Sequence, residues 1–505
     1  MLLATGRSIK VIFAVCTLIV IGALVQRVVR LDQYRRMQAS RLRIESPTRN
    51  ANMNHTVESQ LMQLDPSGKY LVSGKTGNAV FITGDAPQTL MVEVSSEDVE
   101  IYLADRASRG FNALWVLLVD SADQSNAPRN FYRDEPFQGP DFTNENEPYW
   151  EHVDYVLHRA SHYGITLVLN PGFVGLHAPE GFLQSYLRSS PEVMFAYGYW
   201  LGSRYRGYDN IIWSLGGDAD TSYPGLYSKL CDLAKGIASA DRAHLITLEA
   251  SRFKNCAVDC VPVESGGSSS LDGETTPPSW LKLNWVYQTY STVQAGCASN
   301  YSRTGSLPSL MGEDWYEGEH SLTARQVREE GYRAVLSGCY LGRLFGNNAI
   351  WTMGGPRNTM RQTWQSQLAS EGSVSQAWLG KLMRSREHWK MAPDLDHAVL
   401  VSGFDSGPAS APASRAIDGR TVIAYIPSGA PIGVDMSKIV SSNHSAHGWW
   451  FNPVSGVTID LGLSPTTGLK IFAPPDIRDW VLVLDDAEAA FLAPGSRDIE
   501  GGLIR

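Results

Sequence analysis

Runs of apolar residues bounded by turn residues alternate with segments of helical periodicity through the middle of the chain. Each run is long enough for a strand that is buried on both faces, and the intervening segments are long enough for a covering helix. The predicted strands lie at 79–85, 111–119, 165–170, 210–218, 244–249, 281–287, 309–313 and 348–354. Eight strands alternating with helices favour an α/β fold, the (β/α)8 TIM barrel. A doubly wound open sheet is the alternative, but no glycine-rich phosphate loop follows the first strand.

The pattern changes after about residue 393, where "SGPASAPAS" resembles a linker. Short alternating segments such as "TVIAYIP", "GWWFNP" and "DWVLVLDD" then predict strands without helices. We therefore expect a barrel domain at 62–392 and a small all-β sandwich at 393–487. Trp449, Trp450 and Trp480 exceed what so small a core needs, so we expect the sandwich to pack against the barrel.

The amino-terminal segment 1–43 is predicted to direct or anchor the protein. Residues 11–25 contain no charge and follow Arg7 and Lys10, a pattern typical of an export signal or a short membrane anchor. We therefore expect an exported protein that is periplasmic, on the cell surface or secreted, with a membrane tether through 11–25 as one form of it.

The composition and charge of the chain limit the kinds of molecule that it is expected to bind. Apolar residues make up 43% of the chain and charged residues 19%, which is typical of a globular protein. The net charge is −9 although residues 1–43 hold eight basic residues and one acidic residue, so the body is acidic. An acidic body argues against nucleic acid as a partner. No cofactor motif and no histidine cluster with metal-ligand spacing is found, and the sequence does not indicate an oligomeric state.

Five cysteines follow the amino-terminal segment. In an exported protein we expect Cys256 or Cys260 to form a disulfide with Cys297, because all three lie in polar segments. Cys231 and Cys339 lie in apolar segments and are expected to be buried thiols.

Carboxylates stand where several predicted strands end, and in a barrel that end carries the active site. Asp218 ends the fourth strand and Glu313 ends the seventh, on opposite sides of the barrel mouth. Two carboxyl groups that flank one bond are what glycoside hydrolysis needs, while amides bind sugar hydroxyls and aromatic faces stack on sugar rings. The predicted catalytic residues are Asp218 and Glu313. The predicted substrate-binding residues are Asp85, Asn112, Trp115, Asn170, Glu249, Asn284, Gln288, Trp315, Glu317 and Trp351.

Several segments resemble a known family. "YLADRASRGFNALWVLL", "NIIWSLGGD" and "PSLMGEDWYEG" are similar to the apiosidase-like barrel family, which contains glycoside hydrolase family 140. "GWWFNPVSG" and "FAPPDIRDWVLVLDD" resemble the β-sandwich that often follows this barrel and carries a collagen-binding label.

The resemblance implies a general acid/base at Asp218 and a nucleophile at Glu313, with Glu317 as the reserve candidate for the nucleophile. It implies a retaining reaction, for which the carboxyl groups stand about 5–5.5 Å apart; a separation of about 6.5–9.5 Å would give inversion. Asp218 is expected to have a raised pKa and Glu313 to be ionised. The chain departs from the family pattern at Ala86-Pro87 and at Glu249. The resemblance therefore implies the type of reaction but not which sugar is bound.

Three hypotheses follow. The first is an exported glycoside hydrolase that acts on an oligo- or polysaccharide of plant or microbial origin. The second is a non-catalytic carbohydrate-binding protein that retains the barrel, and the third is a matrix-binding protein. Release of reducing sugar distinguishes the first from the other two.

Overall fold

The computed structural model describes residues 61–120, 125–176, 181–254, 261–262, 268–270, 277–303, 305–405 and 410–499. The predicted export or anchor segment lies outside these residues. No helix in the described part of the chain is long and apolar enough to cross a membrane.

Eight parallel strands, counted over the described residues, form a near-closed barrel. They are Ile82–Asp85, Ala113–Leu117, Thr166–Asn170, Ile211–Ala219, Leu245–Ala250, Asn284–Tyr287, Ser309–Glu313 and Gly342–Phe345. The last strand pairs with the first, and the N–H of Lys282 donates to the Ile246 carbonyl at 2.9 Å where the fifth and sixth strands meet. The predicted (β/α)8 barrel is confirmed.

The barrel helices begin and end at residues that satisfy their free backbone groups. Ser95 accepts a hydrogen bond from the N–H of Asp98, and Thr323 and Gln326 form a reciprocal capping box. The helices are Leu90–Glu93, Ser96–Ser108, Glu147–His162, Leu183–Arg188, Pro191–Tyr205, Leu226–Ala240, Val293–Ser302, Ala324–Leu336, Asn348–Trp351, Trp364–Gln367 and Glu371–Arg384. Short 3-10 turns lie at Glu319–Ser321, His388–Lys390, Met436–Lys438 and Ala487–Ala489.

The opposite end of the barrel from the mouth is closed by a small antiparallel sheet of Met62–Leu64, Leu71–Ser73 and Ala79–Val80. Met62 and Leu71 join the apolar cluster inside the barrel. Shorter strands follow the fifth barrel strand: Phe253–Lys254 pairs with Val261–Pro262, and Ser268–Ser269 pairs with the sixth barrel strand.

The prediction of the eighth strand at 348–354 is wrong. The strand is Gly342–Phe345, and Asn348–Trp351 is a short helix capped by the Asn347 side chain. The strand contains Arg343, whose guanidinium is buried against Asp314 at 2.6 Å. A charged residue inside a four-residue strand hides the apolar pattern that identified the other strands.

The carboxyl-terminal region consists of antiparallel sheets. One has six strands in the spatial order Met391–Pro393, Ala413–Ala416, Thr421–Ile426, Trp480–Asp486, Ser445–Phe451 and Thr458–Pro465. The other has three strands in the order Leu400–Ser402, Ile432–Asp435 and Leu469–Phe472. An apolar cluster between the two sheets forms the core of this sandwich.

The sandwich packs against the barrel, as predicted. Alternate residues of a strand face opposite sides of a sheet, and Val481 and Val483 lie with Tyr425 in a cluster shared with two barrel helices. Tyr425 stacks on Tyr332 of the helix Ala324–Leu336 with a ring-centroid distance of 4.6 Å. The tryptophans contribute less than predicted, because Trp450 and Trp480 lie in the sandwich core.

The predicted partner of Cys297 is wrong. Cys297 forms a disulfide with Cys339, which is 42 residues later in the chain. Both cysteines lie in a buried cluster with Val286 and Met311, where two adjacent barrel helices pack on the strands. Cys256 and Cys260 lie outside the described residues, and Cys231 is half-buried.

Candidate active site

The fourth barrel strand ends in a turn with three consecutive residues of positive φ. The φ angles of Gly216, Gly217 and Asp218 are 90°, 89° and 49°. The pairing with the fifth strand shifts register here, which is the sign of a bulge. Glycine adopts positive φ without steric cost, whereas Asp218 does not, so this turn holds its aspartate in an uncommon conformation.

Both glycines also lie against other atoms. A Cβ at Gly216 would overlap the main-chain oxygen of Glu249, and a Cβ at Gly217 would overlap the ring of Phe173. The carbonyls of the two glycines accept hydrogen bonds from the N–H groups of Val174 and Gly175 at 3.1 and 3.0 Å. The paired glycines therefore allow the chain to turn tightly against two neighbouring strands and to present Asp218 at the mouth.

Glu313 is the last residue of the seventh strand and is 8% exposed. Its Oε1 accepts a hydrogen bond of 2.8 Å from the hydroxyl of Tyr316. That hydroxyl in turn accepts a hydrogen bond of 2.6 Å from the side-chain amide of Gln88. The chain of two hydrogen bonds fixes the carboxyl group of Glu313 in one orientation.

Asp218 and Glu313 line the same pocket, which has a volume of about 290 Å³. Its wall mixes aromatic, acidic and basic side chains. The lining residues are Gln88, Leu117, Asp120, Phe173, Leu176, Asp218, Arg252, Tyr287, Glu313, Tyr316, Glu319, His320, Trp351 and Arg357. Of the four carboxyl groups on this wall, those of Asp218 and Glu313 come from strands on opposite sides of the mouth, and aromatic faces lie beside them.

Glu249, the acid near the end of the fifth strand, lies behind this wall. Its side chain is fully buried, and its Oε1 accepts a hydrogen bond of 3.1 Å from the main-chain N–H of Asp218. It does not line the pocket, so a role in contacting substrate, which the sequence suggested, does not match its place.

The acids of this site cannot all be ionised easily. Burial raises the pKa of Glu249 to about 8, and the charge of Asp218 adds to that effect. Burial also raises the pKa of Glu313 well above its usual value, with further contributions from Glu249 and Asp218. Both effects oppose the ionised form of Glu313 that the sequence analysis expects. The raised pKa expected for Asp218 stays a prediction.

Two arginines on the wall lie against aromatic rings. The guanidinium carbon of Arg252 is 5.6 Å from the ring centroid of Tyr287 and 5.4 Å from that of Trp315. The guanidinium carbon of Arg357 is 5.2 Å from the ring centroid of Trp351. Cation–π contacts of this kind hold the guanidinium groups in place at the pocket.

Four of the predicted substrate-binding residues lie away from the pocket. Asp85 is fully buried in an ion pair with Arg106 at 2.9 Å. Trp115 lies in the barrel interior, with its ring edge-on to Trp285. Asn112 and Asn284 stand at the amino-terminal ends of their strands, where they hydrogen-bond to Phe81, Thr83, Asn300 and Ser309. The sequence located the strands of these residues. It did not show at which end of its strand each residue lies or which way its side chain points.

Four others stand next to the pocket, and Trp351 lines it, while its role in binding substrate stays a prediction. The side chain of Asn170 donates to the Gly216 carbonyl at 3.1 Å, and the N–H of Gln288 donates to the Glu313 carbonyl at 3.1 Å. Trp315 lies beneath Arg252. The carboxyl group of Glu317 accepts hydrogen bonds from Asn347 and Ser370.

The carboxyl group of the reserve candidate Glu317 therefore joins the loop after strand seven to the chain near Ser370, and it does not line the pocket. Several lining residues were missed: Gln88, Phe173, Arg252, Glu319, His320 and Arg357. They come from loops after the strands, where no periodicity marks them. Within the described chain, no group of three or more His, Cys, Asp or Glu side chains could hold a metal ion.

Comparisons with known proteins agree with this arrangement. The family described as "Apiosidase-like, catalytic domain" matches residues 65–390. The family described as "Putative collagen-binding domain of a collagenase" matches residues 396–485. A comparison with the curated proteins found no match.

Two solved structures are similar over most of their length. One, titled "Glycoside hydrolase", is 21% identical with a TM-score of 0.73, and the match covers 86% of this chain and 98% of that chain. The other, a glycoside hydrolase family 5 protein from Bacteroides vulgatus ATCC 8482, is 20% identical with a TM-score of 0.73, and the match covers 87% of this chain and 96% of that chain. At these identities the likeness establishes the fold, a barrel followed by a β domain.

Proposed function

Because this chain belongs to the apiosidase-like family and is a glycoside hydrolase, we propose that it cleaves a glycosidic bond in a plant or microbial polysaccharide. Asp218 acts as the general acid/base and Glu313 as the nucleophile. The observation that carries this proposal is that the two carboxyl groups come from the fourth and seventh strands and line one pocket. A sugar bound there meets one acid from each side, as hydrolysis requires.

The two acids are suited to different roles. Asp218 is the more exposed of the two and stands on a turn with positive φ, so it can reach a leaving-group oxygen at the mouth. Glu313 is held in one orientation by Tyr316, whose hydroxyl donor favours the ionised form of the carboxyl group. A fixed, ionised carboxylate is suited to attack on the anomeric carbon, which gives a retaining reaction with a covalent intermediate.

The rest of the wall is suited to a sugar. Phe173, Tyr287 and Trp351 offer aromatic faces, on which the C–H faces of a sugar ring pack. Gln88 and Asp120 offer polar atoms for hydroxyl groups. We assign these five residues to substrate binding, in place of the predicted residues that lie outside the pocket.

We also propose that the enzyme is exported. The support is the uncharged segment 11–25 preceded by Arg7 and Lys10, together with the disulfide between Cys297 and Cys339. Fractionation of cells that make the full chain, with amino-terminal sequencing of the product, tests this. An exported protein is found outside the cytoplasm, either shortened after the apolar segment or retained at the membrane.

Release of reducing sugar from a panel of pectic and hemicellulosic glycans tests the reaction. The wild-type chain is expected to release sugar from at least one of them, and Glu313→Gln is expected to release none. Glu317→Gln is the matched control, because Glu317 is an equally buried acid that does not line the pocket. A chain that binds a glycan tightly without releasing sugar would instead be a carbohydrate-binding protein.

A further inference from the structure

A third carboxyl group, that of Glu249, lies beside Asp218 and Glu313. Glu249 stands near the end of the fifth strand, is fully buried, and does not line the pocket. Burial of a carboxyl group costs free energy unless hydrogen bonds or a cation compensate it. A buried acid that does not line the pocket therefore needs another explanation.

Its first contact is with the main chain of Asp218. Glu249 Oε1 accepts the Asp218 N–H at 3.1 Å, and the Glu249 main-chain oxygen lies against Gly216 in the same turn. Asp218 has a positive φ, which costs free energy unless its surroundings hold it. The side chain of Glu249 supplies one of the contacts that hold this turn.

Its second neighbour is Glu313. The titratable groups that face these two acids are Asp218 from the fourth strand, Tyr287 from the sixth and Tyr316 after the seventh. Arg252, which follows the fifth strand, lies on the ring of Tyr287. The carboxyl groups of Asp218, Glu249 and Glu313 face one another, so ionising Glu313 beside an ionised Glu249 is unfavourable.

We propose that Glu249 is a positioning residue that holds the main chain of Asp218 in its turn and places a third carboxyl group beside Glu313. The inference rests on the proposed function, in which Glu313 must be ionised to attack. When Glu249 carries the charge, Glu313 keeps its proton. Loss of that proton to solvent at higher pH gives the carboxylate that attacks.

Two variants of Glu249 separate the two parts of the role. Glu249→Gln keeps an oxygen that can accept the Asp218 N–H but removes the charge. Glu249→Asp keeps the charge on a side chain one methylene shorter, which is too short to reach the same N–H without movement of the strand. Measurements of kcat and kcat/KM against pH on the glycan that the wild type cleaves distinguish them.

The acid limb of the kcat/KM profile is the part on the acidic side where kcat/KM rises with pH. In Glu249→Gln this limb is expected to move to lower pH by about one unit or more. In Glu249→Asp the limb is expected to stay near its wild-type position while kcat falls roughly tenfold, because Asp218 is less well held. Glu330→Gln is the control, since Glu330 is a fully buried acid outside the pocket and its variant should keep the wild-type limb. An unmoved limb in Glu249→Gln would overturn the proposal.

Thermal unfolding supplies a test that does not depend on activity. A group whose pKa is raised by folding binds more protons in the folded state, so its contribution to stability is lost as pH rises through the folded pKa. At pH 5 the wild type and Glu249→Gln should unfold at similar temperatures, and at pH 8 the variant should unfold at the higher one. If the unfolding temperatures of the wild type and Glu249→Gln differed by the same amount at both pH values, the proposal would be overturned. If this result holds but no glycan is cleaved, the proposed function fails and the electrostatic role of Glu249 stands.

Discussion

The hydroxyl of Tyr316 donates a hydrogen bond of 2.8 Å to Oε1 of Glu313, and both side chains are buried at the pocket. A donor to a carboxylate favours the ionised form, so this bond opposes the effect of burial on the pKa of Glu313. The balance between Tyr316 and the neighbouring acids decides how readily Glu313 becomes a nucleophile.

Tyr316→Phe should therefore raise the pKa of Glu313 further. We expect the acid limb of kcat/KM to move to higher pH, and kcat/KM at neutral pH to fall roughly tenfold or more. The direction is opposite to that expected for Glu249→Gln, so a pH profile of both variants checks the sign of each effect. A profile of Tyr316→Phe that moves to lower pH contradicts this account of the hydrogen bond.

The turn before Asp218 gives a second prediction. Gly217→Ala would place a Cβ into the ring of Phe173 at a φ of 89°. We expect a loss of about 100-fold in kcat/KM, because a displacement of about 1 Å moves the acid away from its substrate. Gly225→Ala is the matched control, with a φ of 86° and open space around its Cβ. It should share the backbone strain and keep most of the activity.

The contact between barrel and sandwich gives a third. Arg328 forms two hydrogen bonds to Asp479, at 2.7 and 3.1 Å, and the Tyr425 hydroxyl donates to the same carboxylate at 2.9 Å. Arg328→Ala leaves Asp479 buried without its cation, so we expect about 3–5 kcal/mol lower free energy of unfolding. Denaturant titration measures this. The exposed pair Arg478–Asp476 is the control, and Arg478→Ala should leave stability unchanged.

His388 gives a fourth prediction, which concerns the stability of the protein at acidic pH. Burial lowers the pKa of His388 to about 4, so the folded state resists a proton that the unfolded chain takes up near pH 6.5. The neutral form of His388 contributes to the free energy of unfolding above pH 6.5, and this contribution is lost as the pH falls toward 4. Once both states are protonated, the loss amounts to about 3 kcal/mol. His388→Phe, which keeps an aromatic ring against Phe81, should lose less stability between pH 7 and 4. Equal losses in both proteins would contradict this.

The fold was largely predictable because most barrel strands are apolar runs and most helices have a buried stripe. The eighth strand was not, since Arg343 is buried through an ion pair that no local pattern reveals. Asp218 and Glu313 could be identified because they end strands, but Asp85 also ends a strand and turns instead to Arg106. Which way a side chain points depends on its partners.

Contacts between segments that are distant in the chain could also not be predicted from the sequence. Gln88 and Tyr316 are hydrogen-bonded at 2.6 Å although 228 residues separate them in the chain. Cys339 meets Cys297 because two helices pack side by side, and the polarity of the flanking residues indicated other partners. Charge effects between Glu249 and Glu313 arise in the same way, since only the closed barrel brings them together.

The dependence of kcat/KM on the leaving group in Asp218→Ala and Glu313→Ala tests the central claim most directly. The substrates are the natural glycan and an aryl glycoside of the sugar it releases, whose leaving group needs no acid. We predict that Asp218→Ala loses activity on the glycan and keeps substantial activity on the aryl glycoside, whereas Glu313→Ala is inactive on both. Activity of Glu313→Ala on the aryl glycoside, or equal losses on both substrates for Asp218→Ala, would contradict the assignment of acid/base and nucleophile.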